Sequence, residues 1–205
     1  MDREQAIDLI NSSLREGAEL RTVVARDCST AIFEAADLII MCLRAGGKLL
    51  FFGNGGSAAD AQHLAAEFVG RFVRERAGLP AIALTTDSSI LTAVGNDYGF
   101  DRVFARQLEA LGRAGDVAIG ISTSGNSPNV LEGIKAAKRQ RLTTIGLSGK
   151  DGGILAKEAD LTITISSTST ARIQECHIAV GHLLCELTEE ALASGKTEDE
   201  TSNLA

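Results

Sequence analysis

The strongest constraint on the fold is a repeated alternation between short apolar runs and segments with helical apolar spacing. Short, mostly apolar runs of this kind are typical of strands that are buried on both faces of a sheet. Because a helical segment separates each run from the next, the chain is predicted to form an α/β fold with a doubly wound parallel sheet. The predicted strands are residues 48–52, 80–84, 116–121, 143–148 and 161–166.

Two predicted helices, at about 4–24 and 29–45, precede this alternation, and a long one, from about 170 to 193, ends it. The first two are expected to pack on a partner subunit or on the flank of the sheet, so we predict a homo-oligomer. We interpret residues 1–195 as a single domain whose α/β core spans about 35–195. The polar segment 196–205 is predicted to be a disordered tail.

Composition and charge exclude several classes of partner. The formal net charge is −7, from 20 basic and 27 acidic residues, which argues against nucleic acid and anionic membrane surfaces as partners. No apolar run is long enough to span a membrane, and the N-terminus lacks the pattern of a signal peptide. The cysteines form no CxxC pair, so we expect free thiols and a cytoplasmic protein. They are Cys28, Cys42, Cys176 and Cys185.

Two loops that follow predicted strands have the composition of anion-binding turns. Glycine lets the backbone approach a ligand, the N–H groups at a helix start attract anions, and hydroxyls suit phosphate oxygens. The same residue types also form ordinary turns and helix caps, but two such loops, one with four hydroxyls in residues 122–127, favour phosphate binding. The candidates are Asn54, Gly55, Gly56 and Ser57 in the first loop, and Ser122, Thr123, Ser124 and Ser127 in the second.

The first loop also matches the dinucleotide-binding pattern G-x-G-x-x-A, at residues 53–58. That interpretation is weaker, because the acidic residue expected about 20 residues later is not well placed. A Walker A motif is absent from the sequence as well, which argues against a nucleotide triphosphatase.

Histidine and carboxylate side chains mark a candidate metal or acid–base site. His63 and Glu67 are four residues apart and share one face of the helix after the first loop. The last helix carries Gln174, His177 and His182 in a largely apolar stretch. A set drawn from both helices could bind Zn²⁺ tetrahedrally, although a surface i,i+4 pair and a satisfied core histidine are the simpler alternative. Periodicity does not choose between His177 and His182.

Five segments resemble the phosphoheptose isomerases of the sugar isomerase (SIS) superfamily: GNGGSAADAQHLAAEFVGR, VGNDYGF, GDVAIGISTSGNSPNV, GLSGKDGG and ARIQECHIAVGHLL. The resemblance covers nearly the whole chain. It implies a flavodoxin-like three-layer sandwich and a homotetramer with active sites at subunit interfaces. It also implies conversion of sedoheptulose 7-phosphate to D-glycero-D-manno-heptose 7-phosphate through an enediol, for nucleotide-activated heptose and envelope polysaccharide biosynthesis.

The resemblance assigns roles to individual residues. It implies that Glu67 and His182 are catalytic, and only this resemblance favours His182 over His177. It implies one Zn²⁺ per subunit, bound by His63, Glu67, Gln174 and His182. The substrate contacts that it implies are Asn54, Gly55, Gly56, Ser57, Glu67, Asn96, Asp97, Ser122, Thr123, Ser124, Ser127 and Gln174.

Two alternatives lie within the same superfamily. One is a non-catalytic tetrameric protein that binds the bacterial replication initiator and regulates chromosome replication, which the segment IALTTDSSILTAV resembles. The presence of both Glu67 and His182 favours an enzyme instead. The other is an enzyme acting on a different phosphosugar, such as a hexosamine phosphate, and the combination of His63 and Glu67 with Gln174 and His182 argues against it.

Overall fold

The structure, a computed structural model, describes residues 1–194. The predicted disordered tail at 196–205 therefore lies outside the described residues. Asp2 begins the first helix with a capping box, in which its side chain accepts from the backbone of Gln5 and the Gln5 side chain accepts in return. The helices are α1 (Arg3–Asp27), α2 (Ser29–Arg44), α3 (Gly56–Val69), α4 (Ser88–Tyr98), α5 (Val103–Leu111), α6 (Pro128–Arg139), α7 (Leu155–Glu158) and α8 (Thr170–Ser194).

Five parallel strands form one sheet in the order β2-β1-β3-β4-β5. This is the flavodoxin-like order, and the predicted doubly wound parallel sheet is confirmed. The second strand has three residues instead of the predicted five, and it lies at the edge of the sheet, where it pairs with β1 alone. The strands are β1 (Leu49–Gly53), β2 (Ala81–Ala83), β3 (Val117–Ser122), β4 (Thr143–Gly149) and β5 (Leu161–Ile165).

Side chains that alternate along the central strands pack into two separate hydrophobic cores, one on each face of the sheet. In β1, Leu49 and Phe51 join the core under α1, α2, α3 and α8, whereas Leu50 and Phe52 join the core under α4, α5, α6 and α7. The molecule therefore has three layers, with the sheet in the middle. None of the helices within residues 1–194 combines the length and the apolar character that crossing a membrane requires.

The strand order decides where a ligand can bind. After β1 the chain moves to one side of the sheet to form β2, and after β2 it returns to the other side of β1 to form β3. The loops that leave β1 and β3 therefore lie side by side at the carboxyl edge of the sheet, at the switch in strand order. Open α/β sheets bind their ligands at such a switch.

Candidate active site

The loop after β1 and the loop after β3 are joined by two asparagine side chains. The Asn54 amide donates to the Asn129 side-chain oxygen at 2.8 Å, and the Asn129 amide donates back at 2.8 Å. Asn129 is 2% exposed and lies in the first turn of α6. The two loops are therefore held together by a reciprocal pair of hydrogen bonds. Sequence analysis missed Asn129, since nothing in its surroundings distinguishes it from an ordinary first-turn residue.

The second loop presents a cluster of hydroxyls at the start of α6. The Ser122 hydroxyl is buried and lies 2.9 Å from that of Ser127 and 3.4 Å from that of Ser124, with Thr123 between them in sequence. Ser127 is the N-cap of α6, but its side chain does not cap the helix. The N–H groups of this helix start and the serine hydroxyls next to it form an arrangement suited to a phosphate.

Helices α3 and α8 run side by side in the same direction, and glycine permits the contact at two points. A Cβ atom on Gly56 would lie 2.3 Å from the Gln174 amide nitrogen, and one on Gly181 would lie 2.5 Å from a Leu64 methyl group. Gly56 and Gln174 mark the end of the helix pair beside the first loop. His63 lies seven residues further along α3, about 10 Å along the helix axis.

Three of the predicted site residues form a cluster around His63, about 10 Å along α3 from the first loop. His63 Nε2 lies 2.9 Å from His182 Nε2 and 3.4 Å from Glu67 Oε1. The His63 side chain is 48% exposed and that of Glu67 is 22% exposed, so a substrate can reach both. The two imidazoles are hydrogen-bonded, which requires one Nε2 to donate and the other to accept.

His177 has a different environment from His182. It is fully buried, and its Nε2 donates to the Ser148 carbonyl at 2.9 Å. Burial lowers the pKa of His177 to about 4, although the bond to Ser148 opposes that shift. His177 is therefore a neutral core histidine at pH 7, and the geometry places His182 beside His63.

Two further side chains adjoin the cluster, and sequence analysis selected neither. The Phe72 ring lies 5.3 Å from the His182 ring, between centroids, at an interplanar angle of 33°. Asp60 lies one turn before His63 on α3, and its Oδ2 is buried without a hydrogen-bond partner among the described residues. Burial raises the pKa of the Asp60 carboxyl, and the charge of nearby His63 partly offsets the increase.

Asn96 and Asp97 stand apart from the cluster in one chain. Both are exposed on the last turn of α4, where the Asn96 amide donates to the Asp97 carboxylate at 2.8 Å. Within residues 1–194, neither side chain hydrogen-bonds to the loops or to the His63 cluster. Their role as substrate contacts stays a prediction.

The predicted zinc ligands are only partly assembled. Among residues 1–194, no three histidine, cysteine or acidic side chains are grouped as a ready metal site. His63 and His182 are in hydrogen-bond contact, and the Gln174 amide lies at Gly56, at the other end of the helix pair. Within one chain, His63 therefore contacts both Glu67 and His182, whereas Gln174 lies apart from them.

Comparison with known proteins identifies the family of the chain. The SIS domain family matches residues 5–149, which is more than half of the chain and extends from α1 to the end of β4. A phosphoheptose isomerase of Rhodospirillum rubrum is 61% identical over 168 residues, covering 82% of this chain and 89% of the relative. The chain belongs to the phosphoheptose isomerase family.

Other members of the family extend the match. A phosphoheptose isomerase of Aquifex aeolicus is 55% identical over 184 residues, which cover 90% of this chain and 96% of that protein. The solved phosphoheptose isomerase of Neisseria gonorrhoeae superposes with a TM-score of 0.86 at 45% identity, covering 90% of this chain and 99% of that one. The protein is thus an isomerase, as its resemblance to the family implied, and not the non-catalytic SIS protein kept as the alternative.

Proposed function

We propose that this phosphoheptose isomerase converts sedoheptulose 7-phosphate to D-glycero-D-manno-heptose 7-phosphate, and that Glu67 and His182 transfer the proton. The observation that carries this proposal is the cluster of His63, Glu67 and His182, which begins about two turns along α3 from the two loops suited to phosphate. A sugar phosphate held by these loops can extend along α3, so that its other end lies beside Glu67. The product is the type of phosphosugar from which nucleotide-activated heptose for envelope polysaccharide is made.

The reaction is a transfer of hydrogen within one molecule. A base removes a proton from C1 of the ketose, the electron pair forms the C1–C2 double bond of an enediol, and the C2 oxygen gains a proton. An acid then protonates C2 while the C1 hydroxyl loses its proton, which leaves an aldehyde at C1. Such catalysis needs an acid and a base within hydrogen-bond reach of the two carbons, and Glu67 and His182 divide these roles.

The loops act as the anchor for this chemistry. The hydroxyls of Ser122, Ser124 and Ser127 and the N-terminus of α6 would hold the phosphate. The Asn54–Asn129 pair fixes this loop relative to the loop after β1, so the sugar is held in one register relative to α3. Holding the reacting carbons beside the proton-transferring groups in this way lowers the entropic cost of reaching the transition state.

Direct assay of the purified chain tests the function. We expect it to convert sedoheptulose 7-phosphate to the aldose, observable by ¹H and ³¹P NMR of the mixture, and to leave glucosamine 6-phosphate unchanged. Absence of turnover with the heptulose phosphate contradicts the proposal. Turnover of the hexosamine phosphate alone would support the other phosphosugar enzyme instead.

We also propose that the site binds one Zn²⁺ per subunit through His63, Glu67 and His182, with Gln174 as the fourth ligand. The donor types suit zinc, and His63 Nε2 lies 3.4 Å from Glu67 Oε1 and 2.9 Å from His182 Nε2. Zinc in this position would polarise the carbonyl and stabilise the enediolate. In a tetramer with shared active sites, Gln174 of a neighbouring subunit can complete the set.

Metal analysis tests the zinc site without relying on activity. Protein purified without chelator is expected to contain about one zinc per chain, and His63→Ala to lose most of it, since three ligands hold zinc less tightly than four. Gln62→Ala, on the neighbouring residue of α3, serves as the control and should keep the metal. Zinc that is absent from the wild-type protein, or that survives in His63→Ala, contradicts the ligand set.

The homotetramer is likewise a proposal, supported by the surface of α1. Its Ile7, Ile10 and Leu14 are 45%, 56% and 67% exposed, and their spacing places them on one face of the helix. Apolar side chains exposed in a row are typical of a surface that another subunit covers. The cytoplasmic location stays a prediction.

A further inference from the structure

The segment 71–76, which follows α3, is fastened to α8 by a buried carboxylate. Glu189 is 3% exposed and accepts hydrogen bonds from the backbone N–H groups of Phe72, Val73 and Arg74 at 2.7, 2.9 and 3.0 Å. Three successive N–H groups that converge on one anion form a binding concavity. Burial alone would raise the pKa of Glu189, but these bonds and the Arg76 charge outweigh it and lower the pKa.

Arg76 connects the same carboxylate to the end of α3. Its Nε donates to Glu189 Oε1 at 2.9 Å. Its two terminal nitrogens donate to the backbone carbonyls of Phe68 and Glu67, at 2.8 and 2.9 Å. These carbonyls belong to the last turn of α3, whose carbonyl groups have no partner within the helix itself. Arg76 therefore ties the backbone of Glu67 to Glu189 of α8.

The segment also carries the aromatic ring that contacts His182. Glu189 follows His182 by seven residues, so both lie on the same face of α8. The carboxylate of Glu189 accepts from the Phe72 backbone at 2.7 Å, and the Phe72 ring lies 5.3 Å from the His182 ring. The buried Glu189 carboxylate is thus connected to the Glu67 backbone through Arg76, and to the His182 ring through Phe72.

We propose that Glu189 and Arg76 are positioning residues that fix Glu67 and His182 relative to each other, with Phe72 holding the imidazole of His182. This inference rests on the proposed function, which assigns the proton transfer to those two side chains. A buried ion pair is weak evidence for stability, because desolvation offsets the attraction between the charges. Here the ion pair matters because it holds the catalytic groups in position, since a displacement of about 1 Å at a catalytic group can cost 100-fold in rate.

The test compares two glutamates that are adjacent on α8. In Glu189→Gln the side-chain amide would face backbone N–H groups, so the concavity loses its anion while the side chain keeps its size. We expect kcat to fall about 10- to 100-fold and KM to change far less, because the phosphate loops are untouched. Glu190→Gln is the control: it removes the same charge from an exposed ion pair with Arg74 and should leave kcat unchanged.

A second variant covers the case in which Glu189→Gln does not fold. Phe72→Leu keeps an apolar side chain and the backbone bond to Glu189 but removes the ring from His182, and it is expected to lower kcat with KM retained. Phe72→Tyr restores a ring and should restore kcat. Circular dichroism and thermal melting establish that each variant is folded at the assay temperature.

The outcomes separate this inference from the proposed function. If folded Glu189→Gln and Phe72→Leu both keep the wild-type kcat, or lose activity through KM alone, the positioning role is wrong even though Glu67→Gln is inactive. If Glu67→Gln itself is fully active, the assignment of proton transfer to Glu67, on which this inference rests, is wrong, while the isomerase function stands. A loss of kcat in Glu189→Gln and Phe72→Leu, with Glu190→Gln and Phe72→Tyr active, supports the inference.

Discussion

Replacing Glu67 with glutamine is expected to lower kcat for sedoheptulose 7-phosphate by about 10²- to 10⁴-fold, the usual contribution of a positioned acid or base. Glutamine has nearly the shape of glutamate but exchanges no proton at neutral pH. KM should change little, since the phosphate loops lie at the other end of α3. Conversion followed by NMR in D₂O measures both the turnover and the exchange of carbon-bound hydrogen with solvent.

The control for this variant is Glu75→Gln. Glu75 is 90% exposed and pairs with Arg71 at 3.5 Å, so the substitution removes the same charge from the surface and should leave kcat at the wild-type value. Because Glu67 is also a proposed zinc ligand, the metal content of both variants is measured beside the rate. A metal-loaded Glu67→Gln enzyme that turns over and incorporates deuterium at the wild-type rate would exclude Glu67 from the proton transfer.

The fold was predictable because its signals are local. Each apolar run followed by a helical pattern specifies a strand and a crossover helix, and parallel strands with right-handed crossovers leave few topologies. The exceptions are one strand and one helix. Strand β2, at the edge of the sheet, is shorter than predicted and spans only Ala81–Ala83. The four-residue helix α7, at Leu155–Glu158, is too short to show periodicity.

The candidate site was predictable only where the chemistry lies within one element. The spacing of His63 and Glu67 placed them on one face of a helix, and their 3.4 Å contact agrees with that interpretation. The choice of His182 required the family resemblance, since His177 has the same residue type in the same apolar stretch. Only the packing of α8 separates an imidazole that faces His63 from one buried against Ser148.

The remaining features depend on contacts between distant parts of the chain. Glu189 binds backbone atoms of residues 72–74, which are 115 to 117 positions away, and Asn129 pairs with a residue 75 positions away. Residue types alone do not indicate such partners, because a glutamate near the end of a helix is usually solvated. The backbone N–H groups that Glu189 satisfies belong to a segment without helical or strand periodicity, so the sequence offered no signal for it.

The second large effect is expected at His182. His182→Ala should lower kcat by about 10²- to 10⁴-fold, because it removes a proton-transferring group and the only imidazole in contact with His63 among the described residues. His182→Gln keeps a hydrogen-bonding side chain but transfers no proton at neutral pH. Initial rates and KM from the NMR assay show whether the loss lies in kcat, and we expect His182→Gln to be as impaired as His182→Ala.

The matched control is the other histidine of α8. His177→Asn disturbs a buried bond to the Ser148 carbonyl, and a buried polar group left without its partner costs about 1–3 kcal/mol. We therefore expect a lower Tm but a kcat close to that of the wild type, because this histidine is neutral at pH 7 and faces away from the cluster. The opposite pattern, with His182→Gln active and folded His177→Asn inactive, would transfer the catalytic role to His177. A His182→Gln enzyme with full activity would show that the hydrogen bond to His63, and not proton transfer, is what His182 contributes.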